Sequence, residues 1–194
     1  MGKLFVFMGK SASGKDTLYN MALERHPELV PVVTYTTRPV RAGETEGREY
    51  HFVNEQQMEE LEKAGRVVET RCYQTVRGPW YYFTAEDGQI DFEKGDFCLI
   101  STLEGYKKIR DFYGAEKVVP LYIEVEDFER MERSLRREKK QENPCVAELC
   151  RRFLADEEDF SEAKLQEAGI FDRIQNESRE EAVRRIEEIL LREG

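Results

Sequence analysis

Apolar residues fall along this chain in two alternating rhythms. KLFVFM, residues 3–8, is a continuous apolar run closed by a glycine, which predicts a buried strand. FCLIS (97–101) and VVPLYIEV (118–125) are two more such runs, and Pro120 marks the second as irregular near its start or lying at an edge. Between and after these runs the period lengthens to that of a helix. Leu18, Met21 and Ala22 share one face of DTLYNMALERH, and LEGYKKIRDFY and DFERMERSLRRE keep the same spacing. CVAELCRRFLADEEDFSEAKLQEA is expected as one long helix with Val146, Leu149, Cys150, Phe153 and Leu154 on one face. The closing segment places Ala182, Val183, Ile186, Ile189 and Leu190 together. Strands alternating with helices predict an α/β fold, a parallel sheet covered on both sides.

Residues 34–85 break the rhythm. A polar, basic, turn-rich stretch leads into a short helix around Glu55 to Ala64, and RVVETRCYQTV and YYFT read as strands of a small separate sheet. This is expected to be an insertion between the first helix and the second core strand. The basic run RSLRREKK (133–140) ends before Pro144, which marks another break.

The chain has 194 residues, 40% hydrophobic and 36% charged, and a net charge of −10. That length suits one domain. The acidic balance argues against general nucleic-acid binding, which depends on excess positive charge, so local clusters of cations carry the information. The four cysteines form no C-x-x-C pair and the two histidines, His26 and His51, are far apart, so a zinc site is not expected. Reduced thiols and the absence of a recognisable leader fit a cytoplasmic protein, and no apolar run approaches the roughly 20 residues that span a bilayer.

GKSASGKDT, Gly9 to Thr17, follows the first strand and opens the first helix. That is the context of a phosphate-binding loop of the form G-x-x-x-x-G-K-[ST]. Gly9, Ser11, Ala12, Ser13, Gly14, Lys15, Asp16 and Thr17 are the candidate nucleotide-binding residues. Backbone N–H groups there converge on an anion and the helix dipole assists them. The usual hydroxyl position holds Asp16, and the hydroxyl arrives one residue late, at Thr17. Asp16 is either a magnesium ligand or an acidic residue stabilising the helix N-terminus.

TTRPVRAGETEGREYHFV (36–53) resembles the guanylate kinase family, in which the matching letters are Thr36, Thr37, Arg38, Arg41, Gly43, Glu44, Gly47, Tyr50, Phe52 and Val53. The resemblance extends to the loop, the Glu69 strand, the basic run, RRFLA (151–155) and Asn176. It implies a P-loop kinase fold with a parallel core (1–33, 86–125 and 150–194), a small α+β monophosphate-binding insertion (34–85) and a helical lid (126–149), in one domain over 1–194. By the same resemblance, Arg38, Arg41 and Tyr50 grip the acceptor phosphate, and two guanidinium forks and a phenol suit that dianion. Glu69 contacts guanine, Thr34, Tyr73 and Thr102 complete the acceptor site, and Lys15 and Arg137 or its neighbours, with Arg151 and Arg152, join Arg38 at the transferring phosphoryl. The implied reaction moves the γ-phosphoryl of ATP, with Mg2+, to GMP or dGMP.

The sequence also departs from the family. An N-x-Y-G-[ST] element usually follows the Glu strand; here the region reads YQTVRGPWYYFT, with Tyr73, Thr75, Tyr81 or Tyr82 as substitutes. The family's D-x-D-x-Q-G becomes ISTLEG, with Thr102 at the second aspartate. These departures leave two alternatives open: a kinase for another acceptor such as a ribose phosphate, or a non-catalytic binding module. The intact loop, with Lys15 in place, favours the kinase, because phosphoryl transfer needs positioning and charge neutralisation rather than a covalent nucleophile.

Overall fold

The computed structural model describes residues 2–75 and 78–194; Val76, expected in a strand, and the side chain of Thr75 lie outside the described part. The chain runs β1 (Leu4–Met8), α1 (Lys15–Arg25), β2 (Val30–Pro31), β3 (Tyr35–Thr36), β4 (His51–Phe52), α2 (Glu55–Lys63), β5 (Val67–Thr75), β6 (Gly78–Ala85), β7 (Phe97–Ile100), α3 (Leu103–Tyr113), β8 (Val118–Glu124), α4 (Asp127–Glu138), α5 (Val146–Asp159), α6 (Glu162–Glu167), β9 (Ile174–Gln175) and α7 (Arg179–Glu193). The main sheet has the order β2-β7-β1-β8-β9, and all its pairings are parallel.

β1 lies at the centre of this sheet and is buried along its whole length. Its side chains alternate between two cores. Leu4, Val6 and Met8 pack with Leu103, Tyr106 and Ile109 of α3. Phe5 and Phe7 pack on the opposite face with Leu18 and Ala22 of α1 and Val183 and Ile186 of α7. Each such side chain taken out of water contributes about 1.5–3 kcal/mol, so the strand that delivers the glycine loop is the most firmly held part of the sheet. Pro120 pairs with Val6, while β9 joins β8 only at Ile123 and Glu124. The proline thus falls where β8 has no neighbour on its outer side, as expected from its missing N–H.

The five apolar residues expected on one face of α7 are all buried. The long helix expected from Cys145 to Ala168 is not continuous. It breaks at Phe160 and Ser161, between α5 and α6. Phe160 turns inward to stack on Tyr122, with ring centroids 5.6 Å apart. The expected apolar face of α5 is also incomplete: Leu149 is buried, but Val146, Cys150 and Leu154 are exposed. Phe153 serves instead as a platform for the Arg130 guanidinium, 3.9 Å from its ring.

The strands between Tyr35 and Ala85 form a second sheet of order β4-β3-β6-β5 with its own small core of Met58, Phe83 and Ala85. β5 and β6 are antiparallel, with Glu69 opposite Thr84, Arg71 opposite Tyr82 and Tyr73 opposite Trp80. α2 is closed by a reciprocal pair of hydrogen bonds between Asn54 and Gln57. The chain segments that enter and leave this sheet are tied together. The Gln89 amide bonds both the N–H and the C=O of Val33, at 2.9 and 3.0 Å, and the Tyr35 hydroxyl donates to Asp87 at 2.6 Å.

Candidate active site

The glycine loop owes its shape to contacts from distant segments. Gly14 adopts a left-handed conformation (φ 86°), and a Cβ there would stand 2.4 Å from Asn176 Nδ2. Both facts exclude a side chain. A Cβ on Gly9 would meet the Ile123 carbonyl oxygen at 2.5 Å. The Asn176 amide donates to the Ser13 carbonyl at 2.7 Å, and its own backbone N–H donates to Glu124 at 2.9 Å. Arg133 donates to the Asn176 carbonyl at 3.1 Å. At the tip, Ala12 takes a positive φ of 63° without being glycine, the kind of local strain that surrounding contacts must sustain.

The outer face of the loop is held by α5. The Ser11 N–H donates to Asp156 at 2.8 Å, and Lys10 pairs with Glu157 at 2.7 Å. Asp156 and Glu157 also bond Arg130 of α4, which is 1% exposed and pairs with Asp127 as well. Loop, α4 and α5 therefore share one ionic cluster.

A cleft of about 720 Å³ surrounds the loop, lined by Lys15, Thr17, Arg133, Arg136, Arg137 and Arg179 among others. Lys15 Nζ lies 3.5 Å from Asp16. Arg137 lines this cleft. Arg151 does not: it is largely exposed, turns to Glu148 at 2.7 and 2.8 Å, and is not part of the cleft lining. Arg133, one turn before Arg137 on α4, is the loop-facing arginine that the basic run did not single out.

A second cleft of about 600 Å³ opens between α1 and the small sheet, lined by Asp16, Thr34, Tyr50, Arg71, Tyr73 and Tyr82, among others. Asp16 borders both clefts. Arg38 lies buried beside this space, its two terminal nitrogens on Glu44 at 2.7 and 2.6 Å and its guanidinium 5.1 Å from the Tyr50 ring. Glu44 also accepts the Arg41 N–H at 2.9 Å. These donors, Arg38 first, hold the Glu44 carboxyl down at about 2, against an ordinary 4.5. Burial raises the Tyr50 phenol, so it stays protonated and able to donate. The Arg41 side chain is exposed and does not line this cleft.

Glu69 is 2% exposed and accepts the Thr84 hydroxyl at 2.9 Å. Thr102 caps α3 by accepting the Gly105 N–H at 3.1 Å, and lines a neighbouring cleft of about 460 Å³ with Arg71 and Tyr73. The sequence did not single out Thr84, which comes opposite Glu69 only through the pairing of β5 with β6.

The family described as guanylate kinase matches residues 1–193. The chain is 32% identical over 188 residues to a guanylate kinase of Nostoc sp. (96% of this chain, 88% of the relative). The chain belongs to the guanylate kinase family. A guanylate kinase of Prochlorococcus marinus is 32% identical over 136 residues, covering 70% of this chain and 69% of the relative. The crystal structure of guanylate kinase from Anaplasma phagocytophilum has the same fold, with a TM-score of 0.64 over 99% of this chain and 86% of that one, at 24% identity. The family's members are ATP-dependent nucleoside monophosphate kinases, and neither the sugar-phosphate reading nor the binding-module reading is favoured.

Tyr82-Phe83-Thr84 keeps the Tyr-x-[ST] spacing, with Phe83 buried in the small core and Tyr82 and Thr84 facing Arg71 and Glu69. The strand-end aspartates have no counterpart at Ile100 and Thr102, and Asp16 is the carboxylate that borders both clefts.

The depressed Glu44 carboxyl makes a pH prediction. A group whose folded value lies below its unfolded one stabilises above the unfolded value and loses that contribution as pH falls toward the folded one. The segment carrying Arg38, Arg41 and Glu44 is therefore expected to loosen between pH 4.5 and about 2. Hydrogen-exchange protection of residues 38–44 across that range should show it, and Glu44→Gln should remove the part of the pH dependence that belongs to the Arg38–Glu44 pair, the lowered Glu46 acting separately through Phe52 and His51.

Proposed function

We infer that this chain transfers the γ-phosphoryl of ATP to GMP or dGMP in the cytoplasm. The observation that carries the reading is the meeting of two clefts at the start of α1, with Asp16 bordering both, Lys15 lining the first, and Tyr50 and Tyr82 lining the second beside Arg38. ATP phosphates belong on the loop N–H groups, with Lys15 and the arginines of α4 neutralising the outer phosphates. The acceptor phosphate belongs beside Arg38 and Tyr50. Reaching Arg38 requires exchange of its Glu44 partner for the phosphate, and a dianion is the stronger acceptor for that fork. Glu69 with Thr84 suits the paired N–H edge of guanine. Closure of the insertion and of residues 126–149 over the clefts would exclude water, the competing acceptor.

Magnesium fits this site. Asp16 presents an exposed, hard oxygen donor at the phosphate end of α1. Among the described residues no group of three His, Cys, Asp or Glu side chains is placed to cage an ion unaided. Asp16 would hold such an ion beside the nucleotide's phosphates, since magnesium favours carboxylate oxygen. Such an ion, when bound, withdraws charge from the phosphate oxygens. Lys15 and the arginines supply the rest of the neutralisation from the chain itself.

A coupled phosphotransfer assay with ATP, Mg2+ and a panel of monophosphates tests the acceptor. GMP and dGMP are expected to be preferred, and preference for a ribose phosphate or for AMP would refute the reading. Lys15→Ala should lower turnover toward the roughly 10³–10⁵-fold scale of transition-state cations in this chemistry. Asp16→Asn should raise the magnesium concentration needed for half-maximal activity. Superimposable magnesium titrations of wild type and Asp16→Asn would reduce Asp16 to a helix-terminus residue.

A further inference from the structure

Arg71 stands between the acceptor cleft and Glu69. Glu69 is 2% exposed, and its Oε1 accepts from Arg71 Nη2 at 3.2 Å as well as from Thr84. Its Oε2 lies 3.2 Å from Arg71 Nε. That second contact is close but misaligned: Oε2 and the Nε group are both buried and neither completes a hydrogen bond. On the far side Glu69 is closed off by α3, where a Cβ on Gly105 would stand 3.4 Å from Oε2. On the cleft side Arg71 covers the carboxylate, since Arg71 lines both neighbouring clefts and Glu69 lines neither. Arg71 has room to move, because it lines both the 600 Å³ and the 460 Å³ clefts.

A guanidinium and the N1–H/N2–H edge of guanine present the same chemistry to a carboxylate, two roughly parallel N–H donors. We propose that Arg71 is an internal stand-in for the base, occupying Glu69 until the acceptor's donor edge displaces it. This rests on the reading that Glu69 receives guanine. The misalignment at Nε and Oε2 makes the internal pair an incomplete match that a planar base edge improves upon. While no acceptor is bound, Arg71 keeps the buried carboxylate compensated, which an unpaired charge would not be. The consequence is selective. Any acceptor that uses Glu69 is weakened by the fraction of molecules in which Arg71 holds it. An acceptor that leaves Glu69 alone is not.

Calorimetric titration of GMP and AMP into wild type, Arg71→Met and Arg71→Lys tests this. Arg71→Met should bind GMP at least about twofold more tightly, the gain expected when a competing state that predominates is removed. Arg71→Lys, which keeps a cation without the fork, should fall between wild type and Arg71→Met, and it carries the test if the methionine variant does not fold. AMP binding should not tighten, because AMP gains nothing from a freed Glu69 and Arg71, which lines the acceptor cleft, adds to the attraction for its phosphate. Equal or weaker GMP binding in the variants, with wild type binding GMP, would overturn the stand-in role alone. Failure of all three proteins to bind GMP would overturn the guanine reading of Glu69 and this inference with it.

Discussion

A phosphate-binding loop has to aim several backbone N–H groups at one anion, so its carbonyls and its remaining N–H groups must be satisfied from elsewhere. In this protein two side chains meet that requirement. Asn176 holds the Ser13 carbonyl from inside, and Asp156 holds the Ser11 N–H from outside. The left-handed Gly14 fits against Asn176 only because it lacks a Cβ. The strained Ala12 sits between the two anchors. The glycine spacing gives the loop permission to adopt its shape, and these distant contacts impose it.

The same anchors join the loop to the parts that must respond to nucleotide. Asp156 and Glu157 share Arg130 with the loop residues Ser11 and Lys10, so α4, which carries Arg133 and Arg137, is positioned by the cluster that shapes the loop. Arg133 also bonds the backbone of Asn176. On the acceptor side, each prospective substrate group already has an internal partner: Glu44 for Arg38, and Arg71 for Glu69. Buried charges kept in pairs avoid the cost of isolation, and binding becomes an exchange of partners.

How much was legible in the sequence depended on how local each signal was. β1, the glycine loop and α1 are contiguous, and their pattern was read directly. So was α7, whose apolar face is complete within one helix. The two-residue strands β2 and β9 are too short to carry a period, and they exist because β7 and β8 offer free edges. α5 and α6 looked like one helix because the break follows from Phe160 meeting Tyr122, a tertiary contact. Only the pairing of β5 with β6 places Thr84 against Glu69. Arg151 carried the family spacing, yet its side chain has a partner on its own helix, Glu148. Asp156 gave no signal among neighbouring acids, since its partner Ser11 is 145 residues away.

The claim that distant side chains impose the loop's shape is tested most directly by the ATP affinity of Asn176→Ala. The substitution leaves the backbone bond from residue 176 to Glu124 intact and strips the Ser13 carbonyl of its partner. Leaving such a buried group unpaired costs about 1–3 kcal/mol. Calorimetry should therefore show ATP binding weakened by about five- to a hundredfold. Unchanged affinity in the folded variant would contradict the account and return the loop's geometry to its glycines alone.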